Sequence, residues 1–597
     1  MDASSGDVYA MITLAKTKLA NLALFFFLLA ASLPLQASTV THVSVDIRGI
    51  DGRLLDNVNA YLQIANLDPE RRYVNYQIRY LHRKAAAEIK AALQPFGYYQ
   101  VDVDSRLTAT DDGRWQASYQ VTLNEPVTFA QTQWQIDGEG RDDEILQKLL
   151  ANNKIEPGDT LIHSRYESIK SALLRQAIQR GYQNAHYKQA QITVDTERNS
   201  ADLEVIFDTG PRYFFGELTV VDSHLDADLI RRYARFKQGA PYLNSELSRL
   251  QVDLGNSDYF SQVTIRSDWQ NADSNQQVPV NVETQANEQT QYRYGIGYGT
   301  DTGVRLTAGL DRRWVNKQGH QFRSQLQLAQ YESQATAIYH VPGKKPQMDY
   351  QQYRAEIGDK ENDSLDSRLY QLQALDVYTY ARWQREYNIS LLREDFRIGD
   401  ERDSSSFFVP GMEWRYLNAD DRINVSNGWR LTLGLRGAAE SVLSETNLLQ
   451  GYAELKTVWS LTEHWRLLSR VEIGASYTDN FDVLPPSLRF FAGGDNSVRG
   501  YAYEQLGPKD DSGAVTGGKY LAVASAELDY RFADNWRVAL FTDIGNSMIE
   551  PNQALKQSVG FGFRWISPVG AIRLDLAQAI DEPGDPWRLH FTLGSDL

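Results

Sequence analysis

In the first half of the chain, apolar positions switch repeatedly between a period of two and a period of three to four. A short alternating run, Val43-Val45-Ile47, ends at Gly49; the step returns at Trp134-Ile136 before Gly138 and at Leu218-Val220 before Asp222. Each run leads into a short helix, clearest at Glu144 to Leu150 and Asp226 to Tyr233, and then into a longer one. The longer helices carry the stripes Ile78, Leu81, Ala85 and Ile89; Tyr166, Ile169, Leu173 and Ala177; and Leu247, Leu250 and Leu254. Spacings of three and four put each stripe on one helical face. Each of these helices ends at an aromatic turn: Phe96-Gly97-Tyr98-Tyr99, Gly181-Tyr182 and Asp258-Tyr259-Phe260. Two strands close each cycle, as at Ala185 to Val194 and Leu203 to Phe207. The predicted order is strand, helix, helix, strand, strand, three times, with a period of roughly 80 residues. Glu125-Pro126 and Gly210-Pro211 mark the joints. Such units are two-layered, three strands backed by two helices. Their open sheet edges can accept an extended chain.

From about Asn287 the helical period stops, and alternation by two runs to the end. Tyr292, Tyr294, Ile296 and Tyr298 share a face opposite Arg293, Gly295, Gly297 and Gly299. Trp536, Val538, Leu540 and Ile544 oppose Arg537, Phe541, Asp543 and Gly545. Near the end, Trp587, Leu589, Phe591 and Leu593 oppose Arg588, His590 and Thr592. Alternation alone fits a soluble sandwich as well as a barrel. Exported location, the length of the unbroken alternating region, and Arg and Asp behind aromatic faces favour a transmembrane barrel. At roughly 19 residues per strand and loop, that region holds about 16 antiparallel strands. In a barrel, Tyr292, Gly295, Gly297 and Gly299 on the first strand meet Phe591, Leu593 and Gly594 at the last, forming a glycine-weakened seam.

Composition narrows the function. Lys16 and Lys18, the apolar run Leu22 to Leu33, Pro34 and Leu35-Gln36-Ala37 follow the order of a secretory signal peptide, with cleavage expected after Ala37. The stretch before Met11 is long for such a signal, so Met11 is a second candidate start. Mean hydropathy is −0.47, too polar for a bundle of membrane helices. The net charge of −16 argues against a nucleic-acid partner. Cysteine is absent, which excludes disulfides, thiolate metal sites and thiol nucleophiles. The 33 Tyr and 12 Trp suit residues that sit at membrane interfaces. Gly513 to Lys519 has phosphate-loop spacing, but Tyr520 replaces the Ser/Thr and a strand follows. No G-x-S-x-G or H-E-x-x-H run occurs, and paired carboxylates such as Asp420-Asp421 and Asp510-Asp511 fall in predicted loops. The sequence therefore predicts no enzyme activity, no cofactor and no metal.

Three motifs stand in order in the alternating half. Val498-Arg499-Gly500-Tyr501 lies in a long loop reaching about Lys519. Phe541-Thr542-Asp543-Ile544-Gly545 lies on a strand, and Gly560-x-Gly562-x-Arg564-x-x-Ser567-Pro568-x-Gly570 follows. Together with the three repeated units, these resemble the outer-membrane insertase superfamily, whose repeated units are POTRA domains. The expected architecture is α+β POTRA repeats followed by an all-β transmembrane barrel. Its divisions are a signal peptide at 1–37, POTRA-like units at 38–125, 126–210 and 211–285, and a barrel at 286–597. The resemblance implies that the Arg499 loop folds into the lumen. Inward strand parity makes Asp543, flanked by Phe541 and Gly545, its natural partner. Three units match the translocation and assembly module branch of the family, and the ending Leu593-Gly594-Ser595-Asp596-Leu597 fits that branch.

The implied function is ATP-independent assembly or secretion of outer-membrane proteins, autotransporters included, through a lateral seam. The barrel would lie in the outer membrane with the repeated units in the periplasm. Implied partners are client outer-membrane proteins, outer-membrane lipid and a TamB-like periplasmic protein anchored in the inner membrane. The competing readings are a two-partner secretion-type transporter and a passive pore.

Overall fold

The computed structural model describes residues 39–40, 43–110, 114–301, 303–362, 364–421, 424–567, 570–584 and 586–594. The expected signal peptide lies outside the described residues. The chain divides into two compact bodies, 1–213 and 214–597.

The first body holds two three-stranded sheets. In one, Trp115–Leu123 lies between Val43–Arg48, to which it is parallel, and Val101–Ala109, to which it is antiparallel. In the other, Ser200–Asp208 lies between Thr128–Asp137 and His186–Asp195 with the same polarity. In both, the helical crossover delivers the chain to the far edge strand, and the hairpin that follows brings the last strand back between it and the first. Helices Gly52–Tyr61 and Asn75–Leu93 back the first sheet, and Glu144–Asn153 and His163–Gln179 the second. The predicted stripes are the buried faces: Ile78, Ala85 and Ile89 in one unit, Tyr166, Ile169, Leu173 and Ala177 in the next. A two-residue pairing of Thr39–Val40 with Tyr73–Val74 is an addition that periodicity does not reveal.

The second body opens with a third sheet of the same topology, Gln277–Ala286 lying between Phe214–Val221 and Phe260–Ser267. Helices Ala227–Tyr233 and Asn244–Gly255 cover it, and Leu247, Leu250 and Leu254 are buried. The turn after the long helix takes a left-handed residue in every unit: Gly97 (φ 90°), Gly181 (φ 88°) and, in the third, Asp258 (φ 64°). Asp is among the few side-chain-bearing residues that tolerate that region. The aromatic that follows, Tyr182 or Tyr259, is buried beneath the turn.

A sixteen-stranded antiparallel sheet follows, from Thr290–Gly299 to Trp587–Gly594, each strand pairing with its neighbours in sequence. Outward positions are apolar and exposed, as at Tyr292, Tyr294, Ile296 and Tyr298, and again at Trp587, Leu589 and Leu593. Inward positions carry the charges: Arg564, Asp575 and His590 are buried. An apolar outside and a polar inside invert the order of a soluble sandwich and match a wall facing lipid. Lipid offers no hydrogen bonds, so a spanning sheet must satisfy its backbone by ladder pairing. Among the described residues that ladder is continuous except between the first and last strands, where none is formed. The glycine-weakened seam expected between those two strands is thus, in the structure, one with no ladder pairing.

Candidate functional site

Between the eleventh barrel strand (Trp465–Thr478) and the twelfth (Tyr520–Ala533) a long segment folds back on itself. Short bridges Phe490 to Gly518, Ala492 to Leu506 and Lys509 to Val515 give it a fixed shape. Its apolar side chains Val498, Tyr501 and Leu506 pack with Leu521, Val523 and Ala579 of the barrel wall. Tyr501 donates its hydroxyl to the Gln557 carbonyl at 3.2 Å. Arg470, on the eleventh strand, donates to the Ser497 carbonyl. The loop is therefore seated inside the barrel by both apolar and polar contacts.

Arg499 stands at the centre. Its Nε and Nη2 meet the two Asp543 oxygens at 2.8 and 2.9 Å, a two-pronged fork, and its backbone amide donates to Asp543 at 3.0 Å. Nη1 reaches Glu527 at 2.7 Å and Asp575 at 3.2 Å, and Nη2 reaches Ser525 Oγ at 3.2 Å. The guanidinium lies 3.4 Å from the centroid of the Phe541 ring. Arg564 completes the network, binding Glu527 at 2.9 Å and Asp575 at 2.5 Å. Arg573 adds a further positive charge in electrostatic range of Glu527. Two buried guanidiniums and three carboxylates thus satisfy one another, as buried charges must.

Local sequence explains the fit. Asp543, Glu527 and Asp575 all occupy inward positions, and Ser525 stands directly opposite Asp543 in the ladder. A Cβ on Gly560 would come within 2.3 Å of the Phe541 ring. One on Gly562 would stand 1.9 Å from Asp575 Oδ1 and 2.6 Å from Arg564 Nη1. The two glycines leave the space into which the ring and the Arg564–Asp575 pair fit. Gly500 (φ 96°) turns the loop directly after Arg499.

The sequence-predicted residues fall into two groups. Val498, Arg499, Gly500, Tyr501, Phe541 and Asp543 come together, with Gly545 one inward step beyond Asp543 on the same strand. The seam residues Tyr292, Gly295, Gly297 and Gly299 lie on the first strand, Phe591, Leu593 and Gly594 on the last. At the seam the Phe591 amide donates to Thr300 Oγ1 at 3.2 Å. Sequence reasoning did not single out Glu527, Asp575 and Ser525 and gave Arg564 no partner. Strand parity marks all four as inward, but only the register between strands shows that they converge.

Comparison with known proteins agrees with this architecture. The Omp85 superfamily domain matches residues 260–597, and the POTRA domain described as TamA domain 1 matches residues 44–123. The outer membrane protein assembly factor BamA of Nitratidesulfovibrio vulgaris is 30% identical over 162 residues, 25% of this chain and 20% of that protein. BamA of Neisseria meningitidis serogroup B is 22% identical over 581 residues, 84% of this chain and 71% of that protein. The chain thus spans a fifth of the first relative and about seven-tenths of the second. The crystal structure of BamA from Haemophilus ducreyi lacking POTRA domains 1–3 superposes with a TM-score of 0.67 at 17% identity. The match covers 78% of this chain and 99% of that one. The chain belongs to the Omp85 superfamily, as an outer-membrane β-barrel preceded by periplasmic POTRA-like units.

Proposed function

We propose that this protein assembles or secretes outer-membrane proteins, autotransporters among them, by opening its seam sideways into the bilayer without ATP. The observation that carries the reading is the missing ladder between Thr290–Gly299 and Trp587–Gly594 in a sheet whose other neighbouring strands all form ladders. Unpaired backbone groups facing lipid are costly. A client strand that adds to either edge satisfies them, so the seam is a template for strand addition. The TamA-type match of the first unit supports placing the protein in the translocation and assembly module branch. On that reading residues 38–125, 126–210 and 211–285 are three periplasmic units and 286–597 the barrel. The first unit, the most distant from the barrel along the chain, meets a TamB-like partner anchored in the inner membrane.

Two experiments test this. The chain has no cysteine, so a disulfide can be introduced between facing positions of the first and last strands without competing thiols. Locked protein in liposomes should fail to insert an autotransporter barrel, and reduction should restore insertion. Equal insertion in both states would refute the lateral route. Deleting residues 39–125 should leave a heat-modifiable barrel that no longer copurifies with the TamB-like partner; wild-type recovery would refute the partner site.

A further inference from the structure

The seam lacks a ladder but is bridged at its loop end by side chains. Thr300, one residue beyond the first barrel strand, donates its hydroxyl to the Asp495 carboxylate at 2.9 Å. His590, on the last strand, places Nδ1 at 2.5 Å from the same carboxylate. Asp495 belongs to the lumen loop, four residues before Arg499. Its amide donates to Asp301 at 2.8 Å. A Cβ on the preceding Gly494 would come within 2.7 Å of that Asp301 oxygen, so the close approach depends on glycine.

The directions of these bonds are fixed. The Gly500 amide lies 2.9 Å from His590 Nε2, and an amide only donates. Nε2 is therefore an unprotonated acceptor, and Nδ1 carries the proton given to Asp495. The Thr300 hydroxyl gives its one proton to Asp495 and accepts from the Phe591 amide at 3.2 Å. The chain of bonds runs from the last strand to Thr300, to Asp495, and back through His590 to Gly500. The His590 and Asp495 side chains are 1% and 6% exposed, so little water competes for these bonds. The ligand atoms of Asp301, Asp495 and His590 lie within 4.8 Å of one another. Both His590 nitrogens and the Asp495 carboxylate are already satisfied by hydrogen bonds, so the arrangement needs no ion.

We propose that Asp495 is the latch of the seam, with His590 as its positioning residue on the last strand. Seating of the lumen loop and closure of the seam are then one coupled event. Withdrawing the loop removes Asp495 from between the two strands, and parting the strands removes the partners that hold Asp495. This rests on the lateral route proposed above only for its consequence in client entry. The test uses no client, so the two readings can fail separately.

The experiment is hydrogen–deuterium exchange of the full-length protein in lipid nanodiscs. Asp495→Ala should speed amide exchange at least tenfold in residues 290–299 and 587–594, together with residues 495–501. Lys360→Gln is the control: Lys360 ties the loop through Glu504 at 2.5 Å to the fifth barrel strand, neither of the two strands that flank the seam. It should speed exchange around Glu504 and leave the two seam strands unchanged. Two His590 variants separate the bonds. His590→Asn puts an amide donor where Nδ1 stood and should keep the seam strands within about twofold of wild type. His590→Gln puts its amide where Nε2 stood and should release them as Asp495→Ala does. If Asp495→Ala does not fold by heat-modifiable migration, the His590 pair carries the test. Faster loop exchange with seam strands at the wild-type rate would overturn the latch, as would equal behaviour of the two His590 variants.

Discussion

Arg499 meets three carboxylates rather than one, and this changes what its replacement does. Asp543→Asn leaves the guanidinium with Glu527 and Asp575. Arg499→Ala takes the guanidinium fork from Asp543 and leaves it the hydrogen bonds from the Ser525 hydroxyl at 2.6 Å and the residue 499 amide. Breaking a buried ion pair by removing one partner costs about 3–5 kcal/mol where water is well excluded. We therefore expect Arg499→Ala to lose ~3 kcal/mol or more and Asp543→Asn roughly half that. The readouts are urea titration of the heat-modifiable barrel and protease cleavage within 495–519. Equal losses would contradict a shared network. Arg499→Lys keeps the charge but not the fork, and should leave the loop more readily cleaved than wild type. Gly562→Ala forces a methyl against Asp575 and against the Leu574 carbonyl at 2.7 Å. Overpacking of this kind typically costs about 1–3 kcal/mol. The urea midpoint should fall accordingly, while Gly358→Ala, on a barrel strand where the added carbon meets nothing nearer than the Ser333 carbonyl at 3.9 Å, should move it far less.

Among the elements, helix Glu144–Asn153 depends on one buried carboxylate. Asp143 caps it, accepting from the Ile145 and Leu146 amides at 3.0 and 3.3 Å. The same carboxylate takes two bonds from Arg180, at 2.9 and 2.8 Å. Burial pushes this carboxyl up, but the Arg180 bonds and the helix amides outweigh it and hold it below the usual carboxylate range. A folded-state pKa below the unfolded value of about 3.9 contributes stability above that pH, lost as pH falls through the folded value. Amide exchange in residues 144–153 and 163–179 should thus quicken selectively below about pH 4. Asp143→Asn should flatten that dependence. Asn still caps a helix well, so the loss at neutral pH should come from the weakened buried bonds to Arg180, about 1–3 kcal/mol. A pH response unchanged by Asp143→Asn would assign it to other groups.

At the scale of the second body, the third POTRA-like unit is fastened to two turns of the barrel. Tyr259 donates to the Gly319 carbonyl at 2.5 Å, and the Asp226 amide to the Lys317 carbonyl at 2.9 Å. Arg232 donates to the Gly343 carbonyl at 2.5 Å. A Cβ on Gly319 would stand 2.3 Å from Leu229 Cδ2 and 3.0 Å from the Tyr259 hydroxyl, so the turn after the second strand fits the unit only as glycine. Gly319→Ala combined with Arg232→Ala should loosen the docking while the barrel stays folded. Spin labels at Asp273 and Glu463 report it: the distance distribution should be narrow in wild type and broad in the variant. An unchanged distribution would mean that other contacts hold the unit.

The sequence by itself determined the repeating units, the helix stripes, the change of period near Asn287 and the inward or outward side of strand residues. These are local properties, set by periods of 3.6 and two along one chain. It also marked the three motifs, because each is a short run of residues legible in one stretch of chain. Only the tertiary structure decided which inward charges meet. Glu527, Asp543, Arg564 and Asp575 lie on four successive strands, and a change of register by one residue would turn each of them to the lipid face. The seam was decided at the same level. Whether strands nearly 300 residues apart pair depends on barrel closure, not on either strand's pattern. Thr300, Asp495 and His590 meet there because the loop enters the lumen, and nothing in the spacing of those three residues announces it.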